Sequence, residues 1–574
     1  MSFKKRRPLN LQENYDRQAF MRDLVAGLTI FVMLVPQGMA YAMLAGLPPV
    51  MGLYASTIPL FIYALFASSR HLAVGPAAIA SLLVLSSVSA YAEPGSSEYI
   101  SLVLILTFMV GAVELLLGLI KAGFLVKFIS HPVMNGYTSA AAIVIGVSQL
   151  NHLLGVETKN FMQIQFLIIE LIENISRTHL ITVAIGLGSV ITLVVLKKIN
   201  PKIPAALIVL VLSIITVNTF QLDQRGVTIV GDVPSGFPAL TIPNLTPENM
   251  FTLFLMVITI ALIGFMESLA ISQAIADKEK YKVDPNKELR ALGLSNIAGS
   301  FFSAYPVTGS FSRSAVNHQS GAVSQLSSII TAVSVLLTLL LFTSYFYYLP
   351  TAALAAIIFV AIVGLVDIKT AKYLFKVKPL DGWVWVVTFS ITLLIGIKWG
   401  ILVGVAFSLF LLLKRSSAPK VVELGYVEED HEFRNLNRIT EAKRLKDTLM
   451  VRIDSSLYFA NIAHCEKIIR DLLQNTSDTK WMVIDMSGVN DIDTISIKVL
   501  EEIMEEYQEK GVSFLYANLK GQVRDSLTNA DWDRKYKEKT SYITMDHLLE
   551  DNDIGGKRNT AQTDITQDND DYMI

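Results

Sequence analysis

Residues 24–413 consist of long apolar runs cut by short polar or Gly/Pro punctuation. A bilayer core about 30 Å thick is crossed by roughly 20 apolar residues in helix, and on that ruler the region divides into about fourteen spans. They fall near 24–43, 50–68, 73–91, 99–120, 130–150, 179–196, 203–218, 251–275, 289–303, 309–317, 324–345, 350–366, 382–397 and 399–413, and several are too short or too broken to cross as ideal helices. The stretch 160–175 is apolar but carries Glu170 and Glu173 at helical spacing, which predicts an amphipathic helix lying at the outer surface. Seven spans precede the polar stretch 219–249 and seven follow it. Because seven is odd, the halves would insert in opposite orientations, a 7+7 inverted repeat.

In each half one segment opens with Gly and Pro: RHLAVGPAAIAS at 70–81 and SAYPVTGSFSRSAVN at 303–317. Both read as half-helices preceded by extended backbone. Their N-termini would carry unpaired N–H groups and positive dipole ends, and two such ends meeting near mid-membrane make an anion site.

After SSAPK at 416–420 the pattern changes. TLMVRIDSSLYFAN, WMVIDMSG and VSFLYANL read as buried strands, while 461–474 and 494–509 have helical spacing, with Asp493 as N-cap of the second helix. The predicted layout is a cytoplasmic N-terminal segment 1–22, a transmembrane domain 23–415, a linker 416–435, a small α/β domain 436–552 and a disordered polar tail 553–574.

Composition sharpens this. Of 574 residues, 52% are apolar and 17% charged, and residues 24–413 hold little more than a third of the charged side chains. A net charge of −2 excludes a strongly basic nucleic-acid binder. The single cysteine, Cys465, excludes a disulfide framework or a cysteine-rich metal site. The polar, basic first 23 residues hold no secretory signal. With the N-terminus inside, one set of loops carries the KKRR at 4–7, Arg70, Lys121, Lys127, Lys197, Lys198, Lys202, the run 277–282, Lys369, Lys372, Lys376, Lys378, Lys414 and Arg415. The opposite set has only Lys159, Arg177, Arg225 and Lys398. That asymmetry and an even span count predict a multi-pass protein of the cell membrane with both termini cytoplasmic.

Ionisable groups deep in a span are costly, at least ~2.5 kcal/mol at the helix centre, and so are functional candidates. Glu267 lies well inside a span and suits coupling to a proton. Arg313, in the second half-helix, is a fixed cation with a planar fork of donors, which selects an oxyanion over a cation or neutral solute. Gln37 follows Pro36, expected to break the first span, and suits a hydrogen bond to substrate or to a neighbouring helix. Glu114 reads at least as well as an inter-helix hydrogen bond. No catalytic triad, P-loop or metal cluster appears, so neither an enzyme, a cofactor nor an ATP-driven pump is expected.

The run from Asp23 to Ala78, HPVMNGYTSAAAI at 131–143, PVTGSFSRSAVN at 306–317 and the C-terminal domain resemble the SulP family of anion transporters, which ends in a STAS domain. The resemblance spans roughly residues 15–550. It implies a fold like that of the uracil permease, with a core domain (spans 1–4 and 8–11) moving as an elevator against a gate domain (spans 5–7 and 12–14), usually in a homodimer. It also implies an anion pocket of Gln37, Tyr41, Ala77, Ser312 and Arg313. Glu267 matches the glutamate that plant-like sulfate members use for proton coupling. The expectation is proton-coupled sulfate import. Sodium-dependent bicarbonate symport, chloride/bicarbonate or dicarboxylate transport, and an anion sensor signalling through the STAS domain are the alternatives. Related STAS regulators carry Asp-Ser-Ser where this chain reads Asp493-Thr494-Ile495, so a helix cap outweighs phosphorylation of Thr494, while a cytoplasmic partner of the domain is consistent with its position.

Overall fold

In a computed structural model, residues 15–124, 130–156, 163–200, 203–476, 478–540 and 544–554 are described, except for the side chains of 397 and 398. The basic run 4–7, Lys127, Lys159, Lys202, residues 1–14 of the segment 1–22 and almost all of the tail 553–574 lie outside the described residues. The chain forms two compact units, 1–408 and 409–574.

The first unit is helical: α1 (Arg17–Leu44), α2 (Pro49–Tyr54), α3 (Ile58–Phe66), α4 (Ala78–Val88), α5 (Ser97–Leu119), α6 (His131–Leu154), α7 (Ile164–Asn174), α8 (Leu180–Ile199) and α9 (Ala205–Phe220). It continues through α10 (Pro247–Lys278), α11 (Pro285–Phe301), α12 (Phe311–Gln319), α13 (Leu326–Leu341), α14 (Thr351–Ile362), α15 (Ile368–Val377), α16 (Pro379–Leu394) and α17 (Ile397–Ser416). By length and composition, seven helical stretches among the described residues suffice to cross a membrane, and four shorter helices are apolar. Two-residue strands β1 (Val74–Gly75) and β2 (Thr308–Gly309) precede α4 and α12, as the Gly/Pro punctuation predicts. The amphipathic stretch appears as α7, with Phe166, Ile169 and Ile172 exposed.

Two details differ from the sequence reading. Pro36 does not break the first span: α1 runs through it. Proline removes one N–H and leaves the Val32 carbonyl without its i+4 donor, but Leu34, Val35, Pro36 and Met39 are buried, and this packing holds the helix together. The helix α15 was not anticipated, because its lysines interrupt the apolar pattern. Its N-cap, Asp367, accepts from Thr370 N.

Close helix contacts rest on small residues. A Cβ on Gly293 of α11 would stand 2.5 Å from Leu115 N and 2.7 Å from the Gly111 carbonyl of α5, so these two helices meet backbone to backbone.

The second unit is a five-stranded sheet in the order β4-β3-β5-β6-β7, from β3 (Val421–Val427), β4 (Glu432–Asn435), β5 (Thr448–Ile453), β6 (Trp481–Asp485) and β7 (Ser513–Ala517). β5, β6 and β7 are parallel, and β3 and β4 add antiparallel. Leu449, Val451, Ile484 and Phe514 share one core with α18 (Ile462–Gln474), α19 (Thr494–Glu509) and α20 (Gly521–Asn529). Met450, Val483 and Leu515 share the other with the helix Met545–Asp551. Burial on both faces explains why these strands read as unbroken apolar runs. Residues 421–427 and 432–435, expected as linker, are strands of this sheet. Their charges hid them: Glu423 is buried and forms a short, two-pronged pair with Arg444. Asp493 caps α19 as expected, accepting from Ser496 N at 2.8 Å and from Phe459 N at 2.7 Å.

Candidate functional site

The site is built where the two broken segments meet. β1 and β2 pair antiparallel, Val74 opposite Gly309 and Gly75 opposite Thr308. Gly75 has φ +148°, a conformation side chains disfavour, and Pro76 next to it cannot donate to a ladder, so the strand stops and α4 begins. Pro306 sets the matching extended approach to α12.

Buried polar groups fasten this crossover to its surroundings. Ser310 N donates to the Ala73 carbonyl, and Ala73 N donates to Ser314 Oγ. Gly309 N donates to Ser268 Oγ at 2.8 Å. Asn296 takes the Val307 N–H at 2.8 Å while its own amide donates to Glu114 Oε2 at 2.9 Å. Glu114 therefore forms the inter-helix hydrogen bond expected of it. The Tyr305 hydroxyl lies 3.2 Å from Ser81 Oγ.

The helix ends themselves carry no side-chain caps. Ala77 is the N-cap of α4 and Ser310 that of α12, and neither end has a side-chain cap bond. The helical ladders begin only with Ser81 N to Ala77 O and Ser314 N to Ser310 O. The first-turn N–H groups of both helices, those of Ala78 to Ala80 and of Phe311 to Arg313, thus have no intrahelical acceptor.

Arg313 lies in the first turn of α12. It has no exposed surface, and its Nε, Nη1 and Nη2 have no hydrogen-bond partner among the described residues. A Cβ placed on Gly75 would stand 3.4 Å from Nη2, so the guanidinium lies against β1. Tyr41, Tyr305 and Glu267 are within electrostatic reach of it. Gln37 and Tyr41, one turn apart on α1, are both buried, and Gln37 Oε1 also lacks a partner among the described residues. Glu267, partly buried on α10, precedes the Ser268 that anchors β2. Ser312 is exposed, its Oγ 3.3 Å from Ser310 Oγ.

The structure thus brings Arg313, Tyr41 and Glu267 together around two uncapped helix ends, one of them capped in sequence by Ala77 and the other bearing Ser312. Sequence reasoning passed over Ser268, Asn296 and Tyr305. Ser268 had one local signal, its adjacency to Glu267. Chemically, a fixed cation and two sets of free N–H donors suit an anion, and the nearby carboxyl is a group whose charge opposes one.

Apolar helices arranged around such a crossover define a membrane transporter. The Sulfate permease family matches residues 20–388, and the STAS domain matches 440–542. The chain belongs to the sulfate permease family and ends in a STAS domain. It is 37% identical over 532 residues to the Probable sulfate transporter 4.2 of Arabidopsis thaliana, covering 89% of this chain and 78% of that one. It is 38% identical over 517 residues to the Sulfate transporter 4.1, chloroplastic, of the same plant, covering 87% and 75%. Its fold superimposes on the murine Solute Carrier 26 family member A9 anion transporter in the inward-facing state with a TM-score of 0.86 at 25% identity, over 96% of each chain.

Proposed function

We propose that this protein is a secondary active transporter that imports sulfate by proton symport. Fourteen spans in a 7+7 inverted repeat hold it in the cell membrane with both termini cytoplasmic, and an elevator movement of core against gate exposes the site to each side in turn, in a homodimer. The observation that carries the reading is Arg313: fully buried, at the open end of a half-helix, with none of its three nitrogens hydrogen-bonded among the described residues. Relatives named sulfate transporters support the choice of anion. Gln37, Tyr41, Ser312 and the N–H groups beyond Ala77 and Ser310 complete the sulfate pocket.

Glu267 supplies the coupling. Protonated, it removes a negative charge that would repel the incoming dianion, and it releases the proton on the far side. Moving a dianion inward against 100 mV costs about 4.6 kcal/mol, and each accompanying proton offsets about 2.3 kcal/mol. The STAS domain regulates the transporter or docks a cytoplasmic partner.

Sulfate uptake into proteoliposomes under an imposed pH gradient tests this. Accumulation follows the gradient in the natural protein and is uncoupled from it in Glu267→Gln. Uptake indifferent to the gradient, or dependent on sodium with bicarbonate as the preferred anion, overturns the reading; sulfate binding without flux selects a sensor.

A further inference from the structure

Arg70 and the run 277–282, which the charge pattern assigns to the same side of the membrane, meet around His71. This residue lies between α3 and β1 with only 4% of its surface exposed. Its Nε2 stands 2.9 Å from the Ala322 carbonyl, in the connection from α12 to α13. A carbonyl only accepts, so Nε2 carries the proton, and Nδ1, 3.1 Å from the Tyr281 hydroxyl, is the acceptor of a neutral ring. Tyr281 follows α10. Its oxygen takes the Arg70 N–H at 3.2 Å, and the Arg70 guanidinium carbon lies 5.1 Å from the centre of its ring. The His71 carbonyl accepts from Asn317 Nδ2 of α12 at 3.0 Å. One residue thus fastens the approach to β1 both to the end of α10 and to the far end of the helix that carries Arg313.

Arg70 adjoins this ring in the chain, and His318 of α12 meets it edge to face, with ring centroids 5.4 Å apart. Glu279, the C-cap of α10, also faces it, and its Oε1 lies 2.7 Å from His318 Nε2. Lys278 and Lys280 are exposed. The carboxyls of the other elements packed here are occupied: Glu288 of α11 by Tyr63, Ser68 and Ser69, Asp284 by Asn286 N and Lys287 N, and Asp23 of α1 by Tyr15, Val323 and Ser324. α13 and β1 carry no ionisable side chain. A second proton on His71 therefore places a buried cation beside Arg70 and His318, and sets an N–H against a hydroxyl that was donating to that same nitrogen. Burial is the largest influence on the imidazole and holds its pKa below the ordinary histidine value.

We propose that His71 is a pH-sensitive tie: neutral, it joins the α10–α11 connection to the crossover, and protonated, it releases Tyr281 and lets the crossover shift, which slows transport. A buried base held below its ordinary value of about 6.5 costs nothing above that pH and destabilises its surroundings as pH falls toward the folded value. The tie is therefore at full strength above about pH 6.5 and is lost below it. The inference takes sulfate transport from the reading above and nothing from the role of Glu267.

Nitrogen NMR of the full-length protein in lipid, with its eight histidines ring-labelled, reads the tie without transport. The signal that His71→Gln removes belongs to a neutral ring with its proton on Nε2 at neutral pH, and it titrates below about pH 6.5. Tyr281→Phe takes away the donor to Nδ1 and so moves that titration upward. In proteoliposomes at equal pH on both sides, sulfate exchange by the natural protein falls several-fold between about pH 7.5 and about pH 5.5. His71→Gln keeps a donor for the Ala322 carbonyl but takes no proton. Its exchange at the higher pH stays within about twofold of the natural rate, and the acid loss disappears. A ring already protonated at neutral pH, a neutral ring with its proton on Nδ1, or a titration indifferent to Tyr281→Phe overturns the proposal, as does an acid loss that survives in His71→Gln. Should His71→Gln fail to fold, the histidine signal that Tyr281→Phe moves upward is the same readout, and the absence of any such signal overturns the tie. Natural protein that exchanges no sulfate at any pH sinks the transport reading and leaves the spectra to decide the tie.

Discussion

Replacing Arg313 by Met separates the stability of the empty protein from its hold on the anion, and the two change in opposite directions. The guanidinium is fully buried with no hydrogen bond among the described residues. Taking an ion out of water costs several kcal/mol when no partner repays it. Methionine fills similar volume without charge, so the variant in the absence of anion is more stable by about 1–4 kcal/mol. Glu267 offsets part of the arginine's cost, so comparing Arg313→Met/Glu267→Gln with Glu267→Gln isolates the guanidinium. Sulfate binding moves the other way. A charge-assisted hydrogen bond contributes about 1.5–3 kcal/mol, and a fork supplies two, so the variant loses about 3–6 kcal/mol of affinity, roughly a hundred-fold to ten-thousand-fold. Thermal unfolding with and without sulfate reads both. At a hundred times its Kd, sulfate stabilises the natural protein by about 2.7 kcal/mol; the variant melts higher without sulfate and gains at most about 0.4 kcal/mol from it. An empty variant that melts lower, or one whose sulfate-induced shift survives, refutes the assignment of this buried charge to an anion.

Asn296→Ala orphans the Val307 N–H and the Glu114 carboxyl at about 1–3 kcal/mol each, so melting temperature and sulfate uptake fall together, because β2 carries α12; retained uptake with a lowered melting temperature would show that the crossover tolerates displacement. Gly293→Ala drives a methyl into the Gly111 carbonyl of α5 and abolishes folded protein on size-exclusion chromatography, whereas Gly188→Ala, which meets nothing within 4 Å, leaves the elution profile unchanged or gains up to about 1 kcal/mol. In the STAS domain, burial alone would raise the Asp493 carboxyl, but donors from Ser496, Phe459 and Ile495 outweigh it and hold the group below the usual carboxylate range. Its cap is therefore at full strength above about pH 3.9 and is lost as pH falls through the lower folded value. Asp493→Ala removes about 1 kcal/mol at neutral pH, seen as faster amide exchange in the first turn of α19, and Asp493→Asn abolishes the acid dependence there.

What could be read in the sequence was whatever depends on neighbours in the chain. Gly and Pro before the two half-helices announce extended backbone because their effect on φ is local. The STAS strands announce themselves because both faces are covered. The elements missed are those whose local signal is countered by a distant partner: β3 holds a glutamate that Arg444 neutralises, and α1 keeps its helix through Pro36 because packing outweighs one lost hydrogen bond. The same holds within the site. Gln37, Glu267 and Arg313 stand out as polar groups in apolar spans, but Asn296 looks ordinary until α5 and β2 are brought against it.

Partner accounting divides the polar groups of this site into two sets with different work. Ser268, Asn296, Ser314 and the Tyr305–Ser81 pair have their hydrogen bonds made within the protein, and each fastens the crossover or the helix behind it. Among the described residues, Gln37 Oε1 and all three nitrogens of Arg313 find no such partner. A protein interior tolerates few such groups, since each one detracts from a small net stability. The three nitrogens of Arg313, in the first turn of α12, are therefore informative in a way that a bonded polar cluster is not. The bonded set fixes where the helix ends point. The unbonded set defines what must arrive there: an acceptor-rich solute for Arg313 and a donor for Gln37 Oε1. An oxyanion meets the requirement of Arg313, and an ionised Glu267 nearby opposes it. The partition by itself thus favours an anion as the solute that the end of α12 receives.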